Sequence, residues 1–239
     1  MVAPRATPPQ RKAAGRVWAL ACVALAAPVL VFIASFGVKF GWWDAALGHD
    51  LLTLTVAWGL AFVGGLAALG ALVLSLRDPR RLLAPALVAM IVAGVTLGLF
   101  VHQKARFASG APQDVSSDAA EPPGFSDLIA SARRRAGAVA VGAPAGPDAC
   151  PDARSAPTQV APETARAALE AAGFQVLGAA PFRAEGTRDG FWFGFGHDAV
   201  IRIRPGRTDI RVAARNARPD GGEACRLAGV IADSLVSSG

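Results

Sequence analysis

The sequence predicts two regions of different class. The first is a set of three transmembrane helices. The second is a soluble α+β domain with a four-stranded antiparallel sheet and helices on one face. Three observations carry this expectation. Hydrophobic residues make up 53% of the 239-residue chain. They are concentrated before residue 102 in three long apolar runs, which signal membrane spans rather than an unusually large core. Beyond them, between residues 199 and 214, apolar and polar residues alternate with the period of strands, and helical patterns lie on either side of the region.

Residues 1–16 are Pro, Ala and basic residues without an apolar period, and read as a disordered cytoplasmic tail. Residues 17–38 are apolar throughout and long enough to span. Leu20-Ala21-Cys22 faintly resembles a lipobox, but only five residues separate Arg16 from Cys22. That leaves no room for an apolar region ahead of a cut, and two further spans argue against a cleaved signal. Residues 39–50 form a short external loop in which Trp42 and Trp43 suit an interfacial aromatic belt. His49 with Asp44 and Asp50 could make a metal or proton site; a solvated loop histidine is the commoner outcome.

The second and third spans run over about residues 51–76 and 82–101. Ala61 and Gly65, Gly64 and Ala68, and Gly94 and Gly98 are small residues four apart, a spacing that lets helices approach closely, within one bundle or between copies. The spans carry no charged residue, which argues against a transport pathway or proton relay inside them.

Charge sets the topology. The chain has a net charge of +6. Up to Arg106 there are ten cations against three anions; after it there are fourteen cations against fifteen anions. The excess lies at membrane edges, so it argues orientation and not nucleic-acid binding. Four cations lie in the tail, three in the turn between Arg77 and Arg81, and one in the 39–50 loop. The positive-inside rule therefore predicts a multi-pass membrane protein with its N-terminus cytoplasmic and everything after His102 outside. The expected division is a tail at 1–16, a membrane region at 17–106, a linker at 107–123 and an external domain at 124–239.

Within the domain, Phe125, Leu128, Ile129 and Ala132 give a short helix, with Arg133–Arg135 favourable at its C-terminal end. Residues 136–157 are rich in Gly, Pro and Ala and read as loop. Pro162 opens the next helix and Gly173 closes it. Strands follow at 174–179 and 182–188, the second weakened by Gly186, and then at 199–204 and 209–214. A last helix begins near Glu223, with Leu227, Val230, Ile231 and Leu235 on one face.

The third and fourth strands place Ala199, Ile201 and Ile203 on one face with Ile210, Val212 and Ala214, and the charged residues on the other. A four-residue loop, 205–208, would set Ile203 opposite Ile210, Arg204 opposite Asp209, Asp198 opposite Arg215 and Arg202 opposite Arg211. Facing arginines are unfavourable, so Arg202 and Arg211 are read either as a fork for a carboxylate or phosphate or as a solvated sheet face. The helices are expected on the apolar face alone, leaving the charged face to solvent or a partner.

Phe191, Trp192, Phe193 and Phe195 beside two glycines could line an apolar pocket, touch the membrane surface or fill a core edge. His197 next to Asp198 could act as an acid–base pair, but no nucleophile motif accompanies it. Cys150 and Cys225 would lie in an oxidising compartment and are candidates for a bridge. No Cys/His spacing suggests zinc, and no phosphate-cradling loop, catalytic triad or dinucleotide fingerprint is present. No cofactor, metal or catalytic residue is therefore expected.

Several motifs in one order resemble a widespread bacterial domain-of-unknown-function family, number 1499. They are Val115-Ser116-Ser117-Asp118 with Pro122-Pro123-Gly124-Phe125, Phe191-Trp192-Phe193-Gly194-Phe195 with the 198–204 strand, and Asp209-Ile210-Arg211 with Arg215, Asp220 and Gly222. The resemblance covers roughly residues 115–236, and members with three N-terminal spans also occur. The family usually has Thr-Thr at Ser116-Ser117, Ser-Arg-Val-Gly at 214–217 and Asn near Ala224. If those polar groups form a family site, it is altered here. The resemblance implies a fold and a location, the bacterial inner membrane with the C-terminal domain periplasmic, and supplies no activity.

The expectation for function is a non-catalytic binding domain for an anionic ligand, a lipid headgroup or an envelope partner. Arg202, Arg204, Arg211 and Arg215 would hold the anion, Asp118, Asp198 and Asp209 would orient them, and Trp192 would lie beside them. The rivals are a hydrolase or isomerase using His197 and Asp198, and a structural subunit acting through Gly64, Gly65, Gly94 and Gly98. The partners expected are the lipid bilayer and an anionic lipid or envelope protein, with an oligomer open through the small-residue helix faces and no nucleic acid.

Overall fold

The computed structural model describes residues 8–108, 110–138 and 142–237, with side chains from residue 14 onward. The chain forms two compact units that divide between Lys104 and Ala105.

The first unit holds three helices long and apolar enough to cross a membrane. Helix α1 is Pro8–Lys39. Residues 8–16, expected as unstructured tail, are its first turns, and residues 1–7 lie outside the described residues. Two prolines at the helix start followed by Gln10, Arg11, Lys12, Ala13 and Ala14 favour helix, which the missing apolar period did not register. The second span begins earlier than expected, with a π-helical stretch at Ala46–Ala57 that runs into α2, Trp58–Ser75. Asp44 Oδ1 accepts a hydrogen bond from Leu47 N at 2.8 Å and starts the helix inside the expected loop. Thr53 Oγ1 and Thr55 Oγ1 donate five residues back, to Gly48 O and Asp50 O. Helix α3 is Pro79–Ala108, several residues longer than its apolar run.

Small residues make the α1–α2 contact. Ala24, Ala27, Ala57, Ala61, Ala68 and Ala71 are buried. A Cβ on Gly64 would lie 3.2 Å from Ala24 Cα, so glycine sets the approach there. A Cβ on Gly94 or Gly98 would meet nothing within 4 Å.

The second unit is an α+β domain. Its sheet has five antiparallel strands in the order β1-β5-β4-β3-β2, one more than expected. The strands are β1 Asp114–Ser116, β2 Gln175–Ala180, β3 Arg183–Asp189, β4 Gly196–Arg204 and β5 Arg207–Ala214. The extra strand is three residues of the expected linker, Asp114-Val115-Ser116, too short to show a period. It pairs with β5 through Val115 opposite Val212. Gly186 is where β3 meets the start of β2 most closely: a Cβ there would lie 3.0 Å from Gln175 O and Phe174 Cβ. Its place in a strand is a packing requirement.

The β4–β5 register differs from the expected one by two residues. Ile201 faces Ile210, Arg202 faces Asp209, Val200 faces Arg211 and Arg204 faces Arg207. The loop is the two residues Pro205-Gly206, with Gly206 at φ +73°. Proline then glycine at the centre of a turn is the type II signature, and it overrides the four-residue loop. A shift of two keeps every side chain on its face, so the apolar and charged faces are as expected. The pairing of Arg202 with Arg211 is replaced by Arg202 with Asp209.

Helices cover both faces, not one. On the apolar face α5 (Pro162–Ala171) and α6 (Glu223–Ser237) pack Leu169, Leu227, Ile231 and Leu235 against Ile201, Ile210 and Val212. On the charged face lie α4, Asp127–Arg135, and the segment leading to it. Ser126 caps α4 by accepting from Ile129 N at 3.4 Å, and Ser126 N donates to Glu185 Oε1 on β3 at 2.8 Å. The 136–157 stretch lacks helices and strands among its described residues; residues 139–141 lie outside them.

Candidate functional site

The charged face gathers Asp114 from β1, Glu185 and Thr187 from β3, Asp198, Arg202 and Arg204 from β4, and Asp209 and Arg211 from β5. Strand alternation puts them together, and the α4 layer divides them into two clusters.

The first cluster surrounds Asp198, which is 2% exposed. Its Oδ2 accepts from Arg133 Nη1 at 2.7 Å. Its Oδ1 accepts from Arg215 Nη2 at 2.7 Å and Thr187 Oγ1 at 3.0 Å. Arg215 Nη1 also reaches Asp189 at 2.9 Å. Arg133 donates through Nη2 to Ala214 O at 2.9 Å. Arg211 lies apart from Arg202 and clamps Asp114 with two bonds of 2.9 and 2.7 Å. Phe125 lies between them, with Arg133 and Arg211 each about a cation–π distance from its ring, 5.5 and 5.4 Å. Buried Asp198 and partly buried Asp114 thus pair with the two buried guanidiniums of Arg133 and Arg211, the condition under which buried charge is tolerated.

The second cluster is more open. Asp209 is fully buried, and three arginines converge on it. Arg204 Nη2 donates to Oδ2 at 2.6 Å, Arg202 Nη2 to Oδ2 at 3.2 Å, and Arg207 Nε to Oδ1 at 2.7 Å. Ser155 Oγ donates to Oδ1 at 2.9 Å. Asp118 Oδ2 accepts from Arg204 at 3.1 Å and Arg202 at 3.4 Å. Burial pushes the Asp209 carboxyl up, but Ser155, Arg202, Arg204 and Arg207 outweigh it and hold it below the usual range. The backbone N–H of Glu121, then Arg204 and Arg207, hold Asp118 low against its own burial.

Glu121 closes this cluster from outside. Its side chain is 71% exposed, yet Oε2 accepts from Arg204 Nη1 at 2.8 Å. Arg202 Nη2 donates to Glu121 O at 2.7 Å, while Arg202 Nε is buried without a hydrogen-bond partner. Three arginines balance Asp118, Asp209 and Glu121. Without the Glu121 carboxylate the cluster has one positive charge in excess and a guanidinium edge facing solvent, the geometry that takes a carboxylate or phosphate oxygen.

Of the expected anion-binding residues, the structure brings Arg202, Arg204, Asp118 and Asp209 together. It separates them from Arg211, held by Asp114, and from Arg215 and Asp198. The fork of Arg202 and Arg211 is absent because the register differs and Asp114 takes Arg211. His197 and Asp198, as neighbours on a strand, point to opposite faces. His197 Nε2 lies 3.1 Å from Asp220 Oδ2, whose carboxylate also accepts from Gly222 N and Ala224 N at the start of α6. Trp192 is half exposed on the β3–β4 loop. Cys150 and Cys225 are joined in a disulfide, with Cα atoms 5.7 Å apart. Among the described residues no three His, Cys, Asp or Glu are grouped to hold a metal ion.

Sequence reasoning missed Arg133, Glu121, Arg207 and Ser155. Arg133 had a signal: it is four residues from Ile129 and so shares its inward face. Glu121 and Ser155 lie in irregular segments, where spacing carries no information about contacts.

The sequence model of a family described as "Protein of unknown function (DUF1499)" matches residues 114–235, just over half of the chain. The match begins at β1 and ends within α6, so it takes in both ionic clusters. No curated protein and no solved structure matches the chain.

Proposed function

The chain belongs to the DUF1499 family, whose description assigns no activity, and on that premise we propose that its domain is a non-catalytic, membrane-anchored binding module for an anionic group. The group is a carboxylate or phosphate, and it enters the Arg202–Arg204–Arg207 cluster by displacing Glu121. The observation that carries this reading is the Glu121 carboxylate itself. It is mostly exposed, held at 2.8 Å by Arg204, and occupies the position an external anion would take. Arg202 Nε supplies a further donor without an acceptor. The buried Asp209 and Asp118 keep the three guanidiniums pre-positioned, which lowers the cost of ordering them on binding.

The location supports a ligand of the cell envelope. Cations dominate the tail and the 77–81 turn, which favours a periplasmic domain on an inner-membrane anchor. The Cys150–Cys225 bridge suits an oxidising compartment. A phospholipid headgroup and free phosphate share the chemistry, and one experiment separates them. The full chain in detergent is examined by native mass spectrometry with inorganic phosphate, and separately with extracted envelope lipids. The parent should carry an adduct, Glu121→Gln should carry more of it, and Arg204→Gln should carry none. Equal occupancy in the parent and Arg204→Gln, or no adduct under either condition, removes the anion site.

A further inference from the structure

Strand β4 aims two guanidiniums at a single residue of the 118–121 turn. Arg204 Nη1 donates to Glu121 Oε2 at 2.8 Å, and Arg202 Nη2 donates to Glu121 O at 2.7 Å. The pair thus reads a side-chain carboxylate and the backbone carbonyl of the same residue. Arg204 divides its donors by direction. Its Nη2 holds the carboxylates of Asp209 and Asp118, at 2.6 and 3.1 Å, and its Nη1 is left for Glu121.

Holding peptide by its carbonyls is a habit of this face. Pro123 O accepts from Arg211 Nη1 on β5 at 3.3 Å, and Gly124 O accepts from Arg183 on β3. With Glu121 O on Arg202, arginines of three neighbouring strands hold three carbonyls of one irregular segment. Pro122 and Pro123 carry no N–H, so the segment offers acceptors alone to a row of donors.

Displacement of Glu121 is confined to three residues. Pro123 is buried, and Asp118 O accepts from Ser116 Oγ at 2.9 Å, so both ends of the turn are fixed. Ala119, Ala120 and Glu121 between them are exposed. Among the described residues, the hydrogen bonds that hold those three are the two from the arginines and one from Glu121 N to Asp118 Oδ1 at 3.0 Å. Lifting them takes two acceptors from the arginines at once. A ligand that carries an anion alone replaces the first. A glutamate residue of a peptide replaces both.

We therefore infer that the anion this site takes is a glutamate side chain in an extended segment of a partner protein, read together with its own backbone carbonyl. The inference rests on the anion-binding reading given above and narrows its ligand to an acidic peptide. Ala119-Ala120-Glu121 is then an internal copy of that ligand. It weakens every external peptide, because its tether keeps it at high effective concentration.

The test uses the full chain in detergent with Glu121→Ala, which removes the internal carboxylate, and follows binding by calorimetry. The probe is acetyl-Ala-Ala-Glu-amide, the sequence of residues 119–121 with both ends blocked. It is compared with acetyl-Ala-Ala-Gln-amide, with propionate, which carries the carboxylate without the carbonyl, and with inorganic phosphate. The Glu peptide should bind about tenfold or more tighter than propionate, the scale of one added hydrogen bond to a charged group. The Gln peptide should lose at least as much. In the parent chain the Glu peptide should bind more weakly and should speed amide exchange at Glu121, whose N–H leaves Asp118. Phosphate or propionate binding as tightly as the Glu peptide overturns the inference and leaves the anion site standing. No binding by any of the four probes overturns both. Equal binding of the Glu and Gln peptides, or peptide binding without faster exchange at Glu121, also overturns the inference. The Gln-for-Glu comparison changes the probe and not the chain, so it holds whatever a substitution does to the fold.

Discussion

The two units bury opposite kinds of residue. In the membrane unit the buried apolar positions are mostly alanines, among them Ala24, Ala27, Ala57, Ala61, Ala68 and Ala71, with Val17 and Leu82 the large exceptions, while Leu66 and Val73 are 72% and 65% exposed. In the domain the buried positions include Ile201, Ile210, Leu227 and Ile231, together with Asp198, Asp209, Arg133 and Arg211. Solvent explains the inversion. Lipid gains nothing when leucine leaves it, so helices there associate by close approach of small residues. Water rewards removal of large apolar side chains, so the domain's core is built of them. What the domain adds is a buried ionic layer, tolerated because each buried carboxylate has guanidinium partners.

Four variants break this comparison at different points. The largest effect is expected at Asp198. Asp198→Ala removes the carboxylate that pairs with Arg133, whose charge stays buried, and leaves Arg215 only Asp189, which costs about 3–5 kcal/mol. Urea unfolding of the full chain in detergent, read by amide exchange of β4 and β5, should show that loss. A cost below that of an ordinary surface change would mean the ionic layer is not structural. Next comes the disulfide. Cys150→Ser/Cys225→Ser should cost about 2–4 kcal/mol, since the bridge closes a loop of 75 residues. In the membrane unit Gly64→Leu should cost about 1–3 kcal/mol by forcing a side chain against Ala24. A Cβ on Gly98 would meet nothing within 4 Å, so Gly98→Leu should leave thermal melting of the helices unchanged. Equal effects of the two would remove the distinction between a packing glycine and an unpartnered one.

The sequence carried the faces of the sheet more securely than its pairings. Ile201 and Ile210 were legible as inward because strand parity is read directly from alternation. The register was not, because sliding β5 by two residues leaves every face unchanged and costs the pattern nothing. Pro205-Gly206 was the local signal that decides it. The covered charged face was hidden for a different reason. A row of Arg and Asp on a strand reads alike whether water or a second charged layer lies over it. Only Arg133, one helical turn from Ile129, hinted at that layer. The small-residue pairs gave the right kind of contact, but spacing did not distinguish Gly64, which packs on Ala24, from Gly94 and Gly98, where an added Cβ would meet nothing within 4 Å.

The smallest effect concerns acid. Glu223 begins α6 and accepts from Arg226 at 2.7 Å and from Arg188 at 2.7 Å. The Arg226 hydrogen bond first, and then Arg188, outweigh burial and bring its pKa to about 2, against 4.5 for the free side chain. Asp118 and Asp209 are shifted in the same direction. A carboxyl whose folded pKa lies below its unfolded value binds more protons in the unfolded state, so stability rises with pH across the interval. The contribution is complete above pH 4.5 and is lost as pH falls toward 2. For Glu223, partly open to solvent, about 1 kcal/mol is the expected scale. Glu223→Gln should flatten this part of the acid-unfolding curve while leaving the neutral-pH midpoint lower by the same amount. A variant curve parallel to that of the parent between pH 5 and 2 would place the acid sensitivity in the Asp118 and Asp209 cluster instead, where Arg202, Arg204 and Arg207 converge.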